Sequence, residues 1–124
     1  MGNRAVITTE DKKIGIYLHW NGGRHSIEGF LAVCKELGHR PPETDSYGWA
    51  RLCQVIGNFF GGTTSIGIDL LDNLDCDNGD NGMYIIKNWE IIGREFTPYK
   101  ANEPKIDDLT ELITEIKTSQ PSEI

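Results

Sequence analysis

The chain lacks the features that place many proteins at a glance. Its three cysteines, Cys34, Cys53 and Cys76, are odd in number, far apart and without CxxC or Cys/His spacing, so neither a disulfide framework nor a zinc site is written in it. No apolar run approaches the roughly 20 residues that cross a bilayer, and the start carries no apolar signal stretch. A soluble protein of a reducing cytoplasm, with no membrane partner, is expected. Neither GxxxxGK[ST] nor a strand-following GxGxxG occurs, which disfavours a nucleotide cradle. Cations are scarce in the second half: residues 1–60 hold seven Lys and Arg against six Asp and Glu, a net +1, whereas residues 61–124 hold five against thirteen, a net −8. Such a balance disfavours wrapping a nucleic-acid backbone, which draws on cations that displace counterions, and leaves direct nucleic-acid binding an open point. It favours a basic partner or metal ions.

With 124 residues and 38% hydrophobic content, one core is expected. The reading is a single domain over 1–117 and a disordered tail over 118–124. RAVITT (4–9) and IGIYLHW (14–20) are strand-like around the polar connection EDKK, and the period of two puts Ile14, Ile16, Leu18 and Trp20 on one face, Tyr17 and His19 on the other. Ile27, Phe30, Leu31, Cys34 and Leu37 fall at helical spacing before Gly38. Trp49, Leu52, Cys53, Ile56, Phe59 and Phe60 repeat the pattern, with Asp45 or Ser46 as its cap and Gly61-Gly62 as its stop. Residues 63–71, 83–86 and 89–96 read as strands, and Leu109, Leu112, Ile113 and Ile116 as a short helix with Asp107, Asp108 and Glu111 at its positive end. The order ββααβββα, with local hairpins rather than regular βαβ units, predicts an α+β fold with a mainly antiparallel sheet.

Residues 69–82, DLLDNLDCDNGDNG, concentrate five aspartates and three asparagines in fourteen positions. No register supplies the ligands of an EF-hand loop: starting at Asp77 puts Gly79 at position 3 and Asn88 at position 12. An irregular Ca²⁺ or Mg²⁺ site from Asp72, Asp75, Asp77 and Asp80 is less constrained. The plain alternative is a turn, because Asn, Asp and Gly tolerate positive φ and satisfy their own backbone. The third reading is a partner surface, in which Asp69, Asp72, Asp75, Asp77 and Asp80 imitate a phosphate string before a groove lined with Arg and Lys.

HWNGGRH (19–25) gathers His19, Trp20, Asn21, Arg24 and His25 at a strand-to-helix junction, where helix amides can face an anion. The bland reading is a structural histidine beside a core tryptophan. Tyr47, Arg51, Gln54 and Asn58 form a polar second face on the second helix, for which solvent exposure is the default. Cys34 and Cys53 read as packed rather than reactive.

Taken together, HWNGGR, YGWARLCQVIGNFFGG, SIGIDLLDNLDCDNGDNGMYII and GREF make the span from Arg4 to Phe96 resemble small cargo proteins of phages, plasmids and conjugative elements of Gram-positive bacteria. Within that setting the chain resembles anti-CRISPR proteins directed against type II (Cas9) systems, including members that interfere with guide-RNA loading or lead to guide-RNA shortening. The resemblance implies the cytoplasm of a bacterial host and a basic protein surface, Cas9 or its guide-RNA complex, as partner. It carries over no catalytic residue. The leading expectation is thus a non-enzymatic inhibitor using Asp69, Asp72, Asp75, Asp77 and Asp80 with His19, Trp20 and Arg24. The alternatives are a metal-dependent nuclease or nuclease co-factor acting on guide RNA, with His19, Arg24 or His25 near the aspartates, and a calcium-stabilised interaction module.

Overall fold

Two runs with a period of two begin the chain, and each becomes a strand: β1 spans Ala5–Thr9 and β2 spans Ile14–Leu18. The turn between them closes where the Lys12 N–H donates to the Thr9 carbonyl at 3.0 Å. The computed structural model describes residues 3–61, 65–97 and 108–121. Its remaining strands, β3 (Ile66–Leu70), β4 (Met83–Lys87) and β5 (Glu90–Glu95), complete one sheet of order β3-β2-β1-β4-β5. Helices α1 (Arg24–Glu36), α2 (Ser46–Phe60) and α3 (Thr110–Ser119) give the order ββααβββα of an α+β fold. Three of the four strand pairings are antiparallel, and β1 pairs with β4 in parallel.

The helices cover one face of the sheet. Ala5, Ile7, Ile16, Leu18, Tyr84 and Ile86 point into the same core as Ile27, Phe30 and Cys34 of α1, Leu52 and Ile56 of α2, and Ile116 of α3. Phe30 meets Phe59 edge-on, with ring centroids 5.5 Å apart. Burial pushes the Cys34 thiol up to about 12 and raises that of Cys53, which suits packed rather than reactive cysteines. Asp45 caps α2, its Oδ1 accepting from the N–H groups of Tyr47 at 3.0 Å and Gly48 at 3.3 Å, and Gly61 ends that helix at φ 66°.

Several boundaries differ from the sequence reading, each for a local reason. β2 ends at Leu18, so Trp20 is not a core residue; it is 45% exposed. Trp89 belongs to the β4–β5 turn rather than to β5, because Asn88 and Trp89 both take positive φ (52° and 62°). Its ring is nonetheless buried, with Nε1 donating to the His39 carbonyl at 2.8 Å. The expected tail starts too early at 118: Thr118 and Ser119 belong to α3, and Gln120 donates to the Val55 carbonyl at 3.1 Å and accepts from Asn58 at 2.8 Å. Asp108, one residue before the Leu109 N-cap of α3, accepts from the Thr110 N–H at 3.1 Å, a bond that holds its carboxyl below the usual range. Asp107, Gly62 and residues 63–64 and 122–124 lie outside the described residues.

Gly48 offers a test of the packing. Helix propensity alone predicts that Gly48→Ala stabilises the protein by about 1 kcal/mol. A β-carbon there would instead run into the backbone of Pro41 and Pro42, which has no rotamer to yield. Urea unfolding is therefore expected to show Gly48→Ala destabilised by about 1–3 kcal/mol.

Candidate functional site

Because β3 is antiparallel to β2, β2 to β1, and β1 parallel to β4, strands β3 and β4 run in the same direction. Their connection must return along the sheet and cross β2 and β1, and parallel strands usually assign such a crossover to a helix. Here residues 71–82 do it. At most about 3.5 Å per residue, twelve residues reach roughly 40 Å, ample for three inter-strand gaps of about 4.8 Å and one strand length.

This acidic crossover lies on the sheet face opposite the helices. Leu71, Leu74 and Cys76 pack against Val6, Met83, Tyr17 and Ile85 in a second apolar cluster. Gly15 makes room for it, since a β-carbon there would stand 3.1 Å from both Leu71 Cδ1 and Leu74 Cδ1. With the apolar residues turned inward, Asp72, Asp75 and Asp77 are exposed, as is Asp69 on β3.

The asparagines build the backbone. Asn78 is buried; its Oδ1 accepts from the N–H groups of Asp80 and Gly82, both at 3.1 Å. Its Nδ2 donates to the carbonyls of Asp75 (3.0 Å), Gly82 (3.2 Å) and Cys76 (3.3 Å). Asn81 Nδ2 donates to Asn3 Oδ1 and, at 3.1 Å, to the Arg4 carbonyl. Gly79 and Gly82 supply the positive φ angles of 78° and 66°. The Asn-Gly pairs at 78–79 and 81–82 are thus structural turns, as the plain reading of the segment holds.

The five aspartates divide by environment. Asp80, its side chain 20% exposed, accepts from Arg4 Nε at 2.8 Å and from the Arg4 N–H at 3.0 Å. Those bonds from Arg4 hold its carboxyl below the usual range, and the nearby His19 adds to the effect. Asp80 is neutralised and does not belong to an exposed acidic row. Asp75 stands 3.9 Å from Arg4 Nη1. Asp69 accepts from the Leu70 N–H at 2.7 Å and from Asn73 at 3.2 Å. Asp72 and Asp77 make no ion pair with a described residue. Among the described residues, no three His, Cys, Asp or Glu side chains form a group able to hold a metal ion.

HWNGGRH splits. Tyr17 and His19 lie on the crossover side, with the Tyr17 hydroxyl 2.9 Å from His19 Nδ1 and the His19 ring edge-on to Trp20 at 4.9 Å. Burial raises the Tyr17 pKa, with Arg4 opposing and Asp75 and Asp80 reinforcing the shift. Tyr17, His19, Ser65, Ile66 and Gly67 line a hollow of about 320 Å³. Arg24 is elsewhere: on α1 it donates from Nε to Glu28 Oε2 at 2.7 Å, both side chains nearly buried, beside Leu31 and Trp89. The expectation that Arg24 shares a surface with His19 and the aspartates therefore fails, because an i,i+4 carboxylate claims it in the helix layer. His25 is exposed on α1. Gly22 has a packing reason, since a β-carbon there would strike Asn3 and Ala5.

Arg4 and Tyr17 were not among the expected site residues. Arg4 meets Asp80 across 76 positions, so no local pattern announces the pair. No family model, no curated protein and no solved structure matches this chain.

Two measurements check this construction. Asn78→Ala leaves the buried Gly82 N–H without its acceptor, and urea unfolding is expected to show a loss of about 2–4 kcal/mol. Asp80 has a depressed pKa in the folded state, so its contribution is present above the unfolded carboxylate value of about 3.9 and lost as pH falls through the folded value. The stability advantage of the parent protein over Asp80→Asn is accordingly expected to shrink on acid titration below that pH and to be flat from there to neutrality.

Proposed function

We propose that this chain is a mobile-element-encoded inhibitor of a bacterial defence effector, an anti-CRISPR protein that meets Cas9, or interferes with its guide RNA, in the cytoplasm of the bacterial host. The acidic crossover is its contact surface. The observation that carries the reading is the outward row of Asp72, Asp75 and Asp77 on a segment whose apolar residues are seated on the sheet, continued by the exposed Asp69 near the end of β3. A segment ordered before binding loses little entropy on docking, so its charges act at full effect on a basic groove that otherwise holds RNA or DNA. Asp80, clasped by Arg4, positions the segment and is not a contact.

Pull-down of Cas9, with and without guide RNA and at two salt concentrations, tests this. Capture is expected without guide RNA, weaker with guide RNA and weaker at the higher salt. Replacing Asp69, Asp72, Asp75 and Asp77 together by Asn is expected to abolish both capture and inhibition. No capture at low salt, or capture indifferent to those four changes, overturns the reading.

A second reading has one observation in its favour. Tyr17, His19 and Arg4 stand together beside Asp75 and Asp80, a set able to move a proton and steady a phosphate in a nuclease acting on guide RNA. Labelled guide RNA incubated with the protein, with and without Cas9, Mg²⁺ and chelator, decides it. Cleavage lost in His19→Ala supports a nuclease, and intact RNA under every condition discards it.

A further inference from the structure

We infer that β3 is a self-pairing edge, and that two copies of this chain join antiparallel through Ile66–Leu70 into one ten-stranded sheet. Three observations carry this, none of which depends on the proposed function.

The first is which backbone groups are free. Just beyond the two ends of β3, the Leu71 N–H donates to the Lys13 carbonyl and the His19 N–H to the Ser65 carbonyl, each at 2.9 Å. Antiparallel ladders alternate, so the odd-numbered residues of β3 bond to β2, and Ile66, Ile68 and Leu70 turn their N–H and C=O groups outward. The second is exposure. Those same residues oppose Leu18, Ile16 and Ile14 and so point to the helix side, yet Ile68 is 54% and Leu70 58% exposed. Among the described residues, the helix layer leaves this edge uncovered.

The third observation selects the occupant. In a two-fold pairing centred on Ile68, Ile68 faces its own copy and Ile66 faces Leu70, which are the outward-bonding positions on both strands. On the other face Asp69 lies opposite Gly67 of the second copy, where no atom stands within 4 Å of an added β-carbon. The one charge on the strand thus meets space rather than its equivalent, and three apolar pairs align. β3 also lacks the usual guards of an edge: it has no Pro, Lys or bulge, whereas β5 carries Glu90, Arg94 and Glu95 and pairs with β4 through an irregularity at Ile85/Ile86. Its single guard is Asp69, whose Oδ1 occupies the outward Leu70 N–H at 2.7 Å. Pairing exchanges that bond for one to the Ile66 carbonyl of the second copy.

A five-residue edge is small beside the roughly 800 Å² per partner of a stable complex, so the dimer is expected to form and dissociate with concentration. Sedimentation velocity in reductant over a dilution series tests it. The parent protein is expected to pass from monomer to twice that mass, Ile68→Lys to remain monomeric throughout, and Asp69→Ala to dimerise at several-fold lower concentration. Hydrogen exchange supplies a reading free of substitutions: the Ile68 amide should gain protection as concentration rises. A parent protein that stays monomeric at every concentration, or a dimer that Ile68→Lys leaves intact, overturns the inference.

Discussion

The central strand of this sheet is apolar on both faces, and that constraint organises everything around it. Ala5 and Ile7 require cover on one side, Val6 on the other, and all three are fully buried. The helices satisfy the first demand. The second falls, among the described residues, to a stretch that must cross that face anyway, the connection between parallel strands β3 and β4. A crossover serving as cover needs apolar residues at the points of contact, and Leu71, Leu74 and Cys76 provide them. The positions between them have to face water. Acidity and core formation are therefore carried by one segment: its apolar residues cover Met83 and Val6, and the water-facing positions between them hold the aspartates.

Charge then has to be managed along a short length of chain. Like charges close along the chain repel, and salt screens exposed charges mainly beyond about 8–10 Å. One cation resolves the tightest part: Arg4, at the start of β1, holds Asp80 through side chain and backbone and stands near Asp75. Lys12 and Lys87 are held by Glu95 and Glu10. What remains is an exposed acidic row on an ordered support, the arrangement that gives electrostatic recognition its orientation as well as its strength.

The parts legible in the sequence were those set by near-neighbour periodicity. Period-two runs marked the strands, 3.6-residue spacing marked the helices, and Asp45 and Gly61 stood where caps belong. The facing of Tyr17 and His19 away from Ile16 and Leu18 followed from the pleat alone. What escaped was set across the fold. The Arg4–Asp80 clasp and the β1–β4 pairing join positions more than seventy residues apart, and neither leaves a trace in local spacing. Proximity in sequence sets Arg24 beside His19, but the carboxylate of Glu28 one helical turn on holds it in the helix layer. The strand pattern sets Trp20 on the core-facing side although it is also expected as a partner contact; it stands 45% exposed because Asn21, at φ 58°, turns the chain away. The asparagine-rich turns were visible as turns, but that Asn78 is their buried centre depends on Val6 and Gly82 meeting across the sheet.

The edge strand and the acidic crossover are continuous in the chain, since Leu70 ends one and Leu71 begins the other. Asp69 belongs to both: its carboxylate guards the outward Leu70 N–H and also opens the exposed row. Pairing through β3 would place two crossovers on the same face of one extended sheet, related by a two-fold axis. A basic surface long enough to span both would gain from the second contact through effective concentration, without any new kind of interaction. A surface long enough for one would not. The length of the basic groove, rather than its charge alone, would then separate partners that hold one copy from partners that hold two.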